Sequence, residues 1–553
     1  MIMHQSIRLS LPDPATPGLE RLAALFSRVV AERSGVPVTM GDAAPDALTI
    51  SFALDPSLPA EGYRVEPLPD GLRVSGADER GLRYGVGRLL HEASYGDGAF
   101  TPGSWGGTSA PDCPVRGMYL AFNFGNWYVA APRDEVARYL EELSLWGINA
   151  VLLGFLVPDP KDREATERRR EDYRQFLRLA KDAGMSVGFL GSVNCGFPDP
   201  PAEAIAADFP DTDPQRRGLA GPRVCPNHPV GREYLRRTLG SFLEGYEDLG
   251  LDYVAAFPYD AGGCGCELCW PWGARGYVEI SKDFSQIAKA RYPDCKFVLA
   301  TWCFDVREES DGEYEGLQAA LEQDSSWVDY LMADSHFDFP AWPLEHGAPG
   351  GVPLINFPEI TMWGRYPWGG SGANPLPARF ERLWGQARHL LHGGFPYSEG
   401  IFEDLNKAVV ARLYWHKQAS AEQAVREYVG FEFGGNVVDE VTEAIYLLER
   451  TYPPETRMPE DIERAWALLQ AADAKLAPRA RASWRWRILY LRGLIDVELL
   501  HNDGQPTEAC NEAYEELIRI YHAEEALGPV TPKAPSWYAR QVEEEPPPPG
   551  ADL

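Results

Sequence analysis

From Val115 onward the chain alternates between short apolar runs and amphipathic stretches, and this rhythm constrains the fold more than any other feature. The runs are VRGMYLAF (115–122), INAVLLGF (148–155), MSVGFLGS (185–192), LDYVAAFP (251–258), KFVLATW (296–302), VDYLMAD (328–334), VPLINFPEI (352–360) and GFPYSEG (394–400). Helical periodicity near 132–147, 168–184, 231–249, 275–292 and 377–391 separates them, with Gly or Pro breaks between elements. Several runs are apolar throughout rather than alternating, as strands covered on both faces are. Eight such strands with crossover helices predict an α/β fold, a (β/α)8 TIM barrel over residues 113–420.

The flanks read differently. Residues 1–112 predict a small α/β domain, with strands at SIRLSL, DALTISFAL, GYRVEPL and GLRVSGA and helices near 19–33 and 78–94. The GVGRLL stretch in the second helix lacks the third glycine of a dinucleotide fingerprint and carries no such function. Strand signals vanish after about residue 420, and residues 421–535 predict a helical domain. The tail, 536–553, is acidic and Pro-rich and reads as disordered.

Composition narrows the partners. A formal charge of −30 argues against nucleic acid, because phosphate binding needs clustered Lys and Arg. The one basic cluster, Arg168 to Arg170, lies among acids and reads as a solvated helix face. No run is long enough to span a bilayer, and the N-terminal stretch MIMHQSIRLSLPDP has no long apolar segment. Nine cysteines, an odd number, do not look like a disulfide framework. A cytoplasmic protein without membrane partners is expected, and self-association into a homo-oligomer is compatible with the sequence.

Barrel chemistry sits at the C-terminal ends of the strands. There this chain carries Asn123 and Trp127 after strand one, Asn194 after strand three, Tyr259 and Asp260 after strand four, and Trp302 and Asp305 after strand five. Asp334 and His336 follow strand six, Glu359 and Trp363 strand seven, and Tyr397 and Glu399 strand eight. Carboxylates ringed by tryptophans suit glycoside hydrolysis. One acid protonates the leaving oxygen, and a second acts as nucleophile, as base toward water, or on a substrate's own acetamido group. Asp260 is the leading candidate for the acid. Glu359 and Glu399 compete as its partner, Glu359 slightly ahead because strand seven is where many retaining barrel hydrolases place the nucleophile. Against Glu359 stand its neighbours Pro358 and Ile360, which could turn it outward, and against Glu399 the helix N-terminus after strand eight, which itself favours an acid. Asn123, Trp127, Tyr259, Trp302, Asp305, Asp334, His336, Trp363 and Tyr397 are the expected substrate contacts. No catalytic cofactor is expected, and GxSxG, P-loop, HExxH and EF-hand motifs are absent.

Beside Asp260 lies the stretch YDAGGCGCELCWPWG (259–273). Its Cys264, Cys266 and Cys269, with Cys225 from the preceding loop, are candidate ligands of a structural zinc, although CxCxxC is not standard finger spacing. Unligated buried thiols are the alternative, and a redox role is the least supported. In the first two readings the loop braces the segment that bears Asp260.

Three patterns resemble known families. RVCPNHPVGREYLRRTL followed by YDAGGCGCELC resembles the barrel signature of glycoside hydrolase family 163, which is related to endo-β-N-acetylglucosaminidases. ADERGLRYGVGRLLHEAS resembles the end of the small α/β domain that precedes the barrel in families 20, 67 and 84, the β-hexosaminidases and α-glucuronidases. The order of small domain, barrel and helical domain is similar to families 67 and 84. The likeness bears on roughly three quarters of the chain. It departs from family 20 after strand four, where that family has adjacent Asp and Glu and this chain has Asp260 and Ala261. The resemblance implies a hydrolase, β-N-acetylhexosaminidase-like and exo-acting on a small N-acetylhexosamine-containing glycan or glycoside. The alternatives are an acidic-sugar hydrolase of α-glucuronidase or sialidase type, with Arg116, Arg365 and His336 facing a substrate carboxylate, and a non-catalytic glycan-binding barrel.

Overall fold

The computed structural model describes residues 3–41, 46–158, 161–208, 222–259, 262–306, 311–336, 338–359, 374–451 and 458–523. The expected tail lies outside them.

The N-terminal segment forms a mixed sheet from β1 (Ile7–Ser10), β2 (Val38–Met40), β3 (Leu48–Leu54), β4 (Tyr63–Leu68) and β5 (Gly71–Gly76). A hairpin of β6 (Ser94–Gly96) and β7 (Ala99–Thr101) follows, and β8 (Gly107–Ser109) adds to the sheet edge, in the order β2-β1-β3-β5-β4-β8. The four strands expected from the sequence are present. β2, β6, β7 and β8 have three residues each, too short to show a period. Helices Pro17–Ser34 and Glu79–Glu92 start where Thr16 and Asp78 accept from Leu19 N at 3.2 Å and Gly81 N at 2.8 Å.

The barrel strands are β9 (Val115–Leu120), β10 (Ala150–Gly154), β11 (Ser186–Ser192), β12 (Tyr253–Phe257), β13 (Lys296–Ala300), β14 (Tyr330–Asp334), β15 (Leu354–Phe357) and β16 (Leu391–Gly394), the last continued by β17 (Tyr397–Ser398). All pair in parallel, and β9 bonds both to β10 and to β16 and β17, which closes the sheet. The eighth strand begins earlier than the sequence predicts and is broken at Phe395 and Pro396, where proline offers no N–H to the ladder. The run between strands five and six holds a helix, Glu313–Gln323, that its sequence pattern did not announce.

Side-chain parity sorts the barrel into two cores. Val115, Tyr119, Ala150, Leu152, Ala255, Val298, Ala300, Met332, Ile355 and Phe395 fill the lumen, while Met118, Val151, Val254, Leu299 and Leu331 face the helices. Both faces are apolar, which is why the runs did not alternate. Gly117 makes room for this packing: a Cβ there would lie 2.2 Å from the Phe395 ring.

The N-terminal domain closes the barrel at the strands' N-terminal end. Arg116, fully buried, donates to the carbonyls of Gly147 at 2.8 Å and Cys113 at 2.7 Å and pairs with Glu61. Arg80 bridges Glu61 at 3.1 Å and Ser186 at 2.8 Å. Helix Glu79–Glu92 reaches the barrel at Gly87, where a Cβ would come within 2.1 Å of the Leu145 carbonyl.

Beyond the barrel come helices Ala421–Glu432, Val438–Arg450, Pro459–Asp473, Trp484–His501 and Glu508–Ile520. They pack on the helices that follow barrel strands one, seven and eight. Arg485 bonds Asp404 at 2.7 Å and Glu142 at 2.8 Å, and Glu449 accepts from the first N–H groups of helix Pro377–Ala387, Ala378 at 3.0 Å and Arg379 at 2.8 Å. Arg168 and Arg170 pair with Glu164 and Glu167 on their own helix, as a solvated face would. Among the described residues no helix is long and apolar enough to cross a membrane.

Candidate active site

The lumen's upper layer is aromatic. Phe257 stacks on Trp302 with ring centroids 5.7 Å apart, Phe357 lies 5.9 Å from Phe257, and Tyr119 lies 5.7 Å from Phe357 and stacks on Tyr397 at 5.4 Å. These rings form a continuous floor at the C-terminal ends of the strands. The parity that put them there carries two residues further on three strands: Met332 leads to Asp334, Phe357 to Glu359, and Tyr397 to Glu399.

Glu399 is 2% exposed. Its Oε1 accepts the Tyr397 hydroxyl at 2.6 Å, and its Oε2 is enclosed without a hydrogen-bond partner among the described residues. Loss of water around it, then the nearby charge of Glu359, push its carboxyl well above the ordinary range. The shift favours the protonated form, the state in which a carboxyl can give a proton. Its backbone is fixed from below. Glu403 accepts from the N–H groups of Glu399 at 3.0 Å and Gly400 at 3.2 Å, and from the Ser398 hydroxyl. Lys407, buried 3.8 Å from Glu403, donates to the hydroxyls of Tyr128 at 2.8 Å and Tyr139 at 2.7 Å. Glu403 therefore stands before helix Asp404–Trp415, and Glu399 does not cap it.

Glu359 bridges to Tyr397 across the strand ends, and its carboxylate lies 3.9 Å from His336 Nδ1. Arg379 donates to the Glu359 carbonyl at 2.8 Å and to the His336 carbonyl. Trp302 packs edge-on to His336 with centroids 5.9 Å apart, and its indole N–H is buried without a partner among the described residues. Asp334 accepts from the His336 N–H at 2.9 Å, and burial lifts its carboxyl to about 6. At the rim Asn123 accepts the Tyr119 hydroxyl at 3.2 Å. The structure thus brings together Glu359, Glu399, Asp334, His336, Trp302, Tyr397 and Asn123.

Three other residues expected at the site are committed elsewhere. Trp127 is buried edge-on to Tyr128 and Tyr139, with centroids 5.7 and 5.4 Å away, outside the lumen. Tyr259 is fully buried and donates to Glu313, which also accepts from Gly273 N at 2.8 Å. Asp305 caps helix Glu313–Gln323, accepting from Glu313 N at 3.1 Å and Tyr314 N at 3.0 Å. Asp260, Trp363 and Arg365 lie outside the described residues. Arg116 is at the opposite end of the barrel, paired with Glu61. Sequence reasoning passed over Phe257, Tyr119, Phe357 and Glu403. Extending the inward parity of each strand would have found the three rings. Glu403 had only its place in SEGIFED to announce it.

Residues 2–92 match the model of glycosyl hydrolase family 20, domain 2. No curated protein matches the sequence. Among solved structures, the family 89 glycoside hydrolase from Clostridium perfringens in complex with PUGNAc superposes with TM-score 0.61 at 13% identity, covering 91% of this chain and 65% of that one. A family 115 4-O-methyl-α-glucuronidase with specificity for decorated arabinogalactans gives 0.60 at 11%, covering 94% and 76%. A family 138 enzyme targeting pectin rhamnogalacturonan II gives 0.57 at 11%, covering 97% of each chain. Identities this low speak for fold. The chain has the architecture of glycoside hydrolases of the family 20 and family 89 type: a small α/β domain, a closed parallel barrel and a helical C-terminal region.

Proposed function

We propose that the protein is an exo-acting glycoside hydrolase whose substrate carries N-acetylhexosamine. The observation that carries this is Glu399, an enclosed carboxyl whose pKa is raised by burial and by the charge of Glu359, above an aromatic floor. In this reading Glu399 gives its proton to the glycosidic oxygen as the C–O bond breaks. Glu359, with His336 at 3.9 Å, faces the cationic sugar carbon and acts as nucleophile, as base to a water, or on the acetamido group. Where Glu359 acts as nucleophile or on the acetamido group, Glu399, now a carboxylate, takes a proton from the water that attacks in the second step. Where Glu359 is itself the base, it takes that proton. Trp302 offers its indole N–H to a sugar hydroxyl and its ring to the sugar's apolar face. The sequence puts the acid role on Asp260, which lies outside the described residues; this reading gives that role to Glu399.

The acidic-sugar reading loses one of its three cations, since the Arg116 guanidinium is spent on Glu61 and two carbonyls. The test is hydrolysis of aryl α- and β-N-acetylhexosaminides, neutral hexosides and glucuronides. Turnover of an N-acetylhexosaminide, lost in Glu399→Gln, is expected. Turnover of glucuronides alone would transfer the assignment to acidic sugars, and binding without turnover of any member would make this a glycan-binding barrel.

A further inference from the structure

We propose that Cys225, Cys264, Cys266 and Cys269 bind one zinc ion as a tetrathiolate that fastens the rim of the barrel between strands three and four. The four side chains come from two segments separated by almost forty residues, yet their sulfurs all lie within 4.8 Å of one another. Cys225 Sγ is 3.9 Å from Cys266 Sγ and 3.7 Å from Cys269 Sγ. A tetrahedron with Zn–S bonds of about 2.3 Å has S···S edges of about 3.8 Å. A disulfide would need about 2.05 Å. The spacing is therefore that of four ligands around one centre.

The surroundings fit. Cys264 and Cys269 are fully buried, whereas Cys225 and Cys266 are half-exposed and leave an entry path. The Asn227 amide donates to Cys269 Sγ at 3.2 Å, the outer contact that steadies a bound thiolate. Both ligand segments are already tied to one side chain. Asn194, buried at the end of strand three, donates to the carbonyls of Val224 at 3.0 Å and Gly263 at 2.9 Å and accepts from Gly263 N at 2.8 Å. Each of those residues immediately precedes a ligand, Cys225 or Cys264. Soft sulfur ligands in a closed set of four favour zinc over magnesium, calcium or manganese. Binding displaces four thiol protons to solvent and leaves a closed site of net charge −2, with no open position for a substrate.

The proposal holds whether or not the barrel hydrolyses glycosides, and its test reads metal. Full-length protein purified without added metal or chelator should carry one zinc per chain by elemental analysis. p-Mercuribenzoate should release that zinc. Cys266→Ser should lose it, and Cys510→Ser, a buried thiol in the C-terminal helices, should keep it. Should Cys266→Ser fail to fold, Cys266→His, which preserves four ligands, should fold and hold one zinc. Cobalt-loaded wild-type protein should show the thiolate charge-transfer and visible bands of a tetrahedral site. Trace zinc in the wild type, iron in its place, or full zinc retained by both Cys225→Ser and Cys266→Ser would overturn the assignment.

Discussion

Replacing Glu399 by glutamine should separate catalysis from folding. The folded protein holds this carboxyl 2% exposed and beside the charge of Glu359, so its pKa lies well above the ordinary value. In the unfolded chain it returns to about 4.3. Between these two values the native state keeps a proton that the unfolded chain releases. Stability from this group is thus fully present below the unfolded pKa and is lost as pH rises toward the folded one, at about 1.4 kcal/mol per pH unit. Glutamine copies the shape of the protonated carboxyl and does not titrate. Glu399→Gln should therefore be at least as stable as the parent at neutral pH, with an advantage that grows as pH rises through the window. Turnover should move the other way. Loss of a general acid costs about a hundredfold or more, roughly 2.7 kcal/mol of barrier, when the leaving group needs protonation. A dinitrophenyl glycoside leaves without help, so its kcat/KM, which reports the bond-breaking step, should stay within about tenfold of the parent. Urea denaturation at several pH values and kinetics on both leaving groups measure the two halves. Equal loss on both substrates refutes the acid role, and a variant less stable at pH 8 than its parent refutes the protonation argument.

Other positions give sharper contrasts. Asp260→Asn decides between the two candidate acids: a loss of about a hundredfold or more that a dinitrophenyl leaving group rescues moves the acid role from Glu399 to Asp260, and a near-parental rate removes Asp260 from the mechanism. Asp305→Ala should cost about 1 kcal/mol of stability through the lost helix cap, with KM unchanged; a large rise in KM would return it to the sugar site. Glu61→Ala strands the buried Arg116 guanidinium and should destabilise the fold by about 3–5 kcal/mol by urea titration while kcat stays parental. A kcat that falls with stability would mean the far end of the barrel shapes the site.

The sequence by itself determined the barrel. Strands covered on both faces must be apolar throughout, and helices with one wet face must repeat near every third or fourth residue, so eight alternations were visible without any contact being known. Asp334, Glu359 and Glu399 stood out in the sequence only for following strand ends, and it is the lumen-facing parity of Met332, Phe357 and Tyr397 that turns them to the mouth of the barrel. Only the tertiary structure decided how each polar residue was used. Asp305 turns to a helix that its sequence barely announced, Trp127 sinks between two tyrosines on the barrel's outer side, and Arg116 is drawn to a glutamate of the N-terminal domain. The raised pKa of Glu399 and the convergence of four sulfurs are of the same kind. A side chain's charge state and partners depend on desolvation and on groups brought close from distant parts of the chain, and these exist only once the chain has closed on itself.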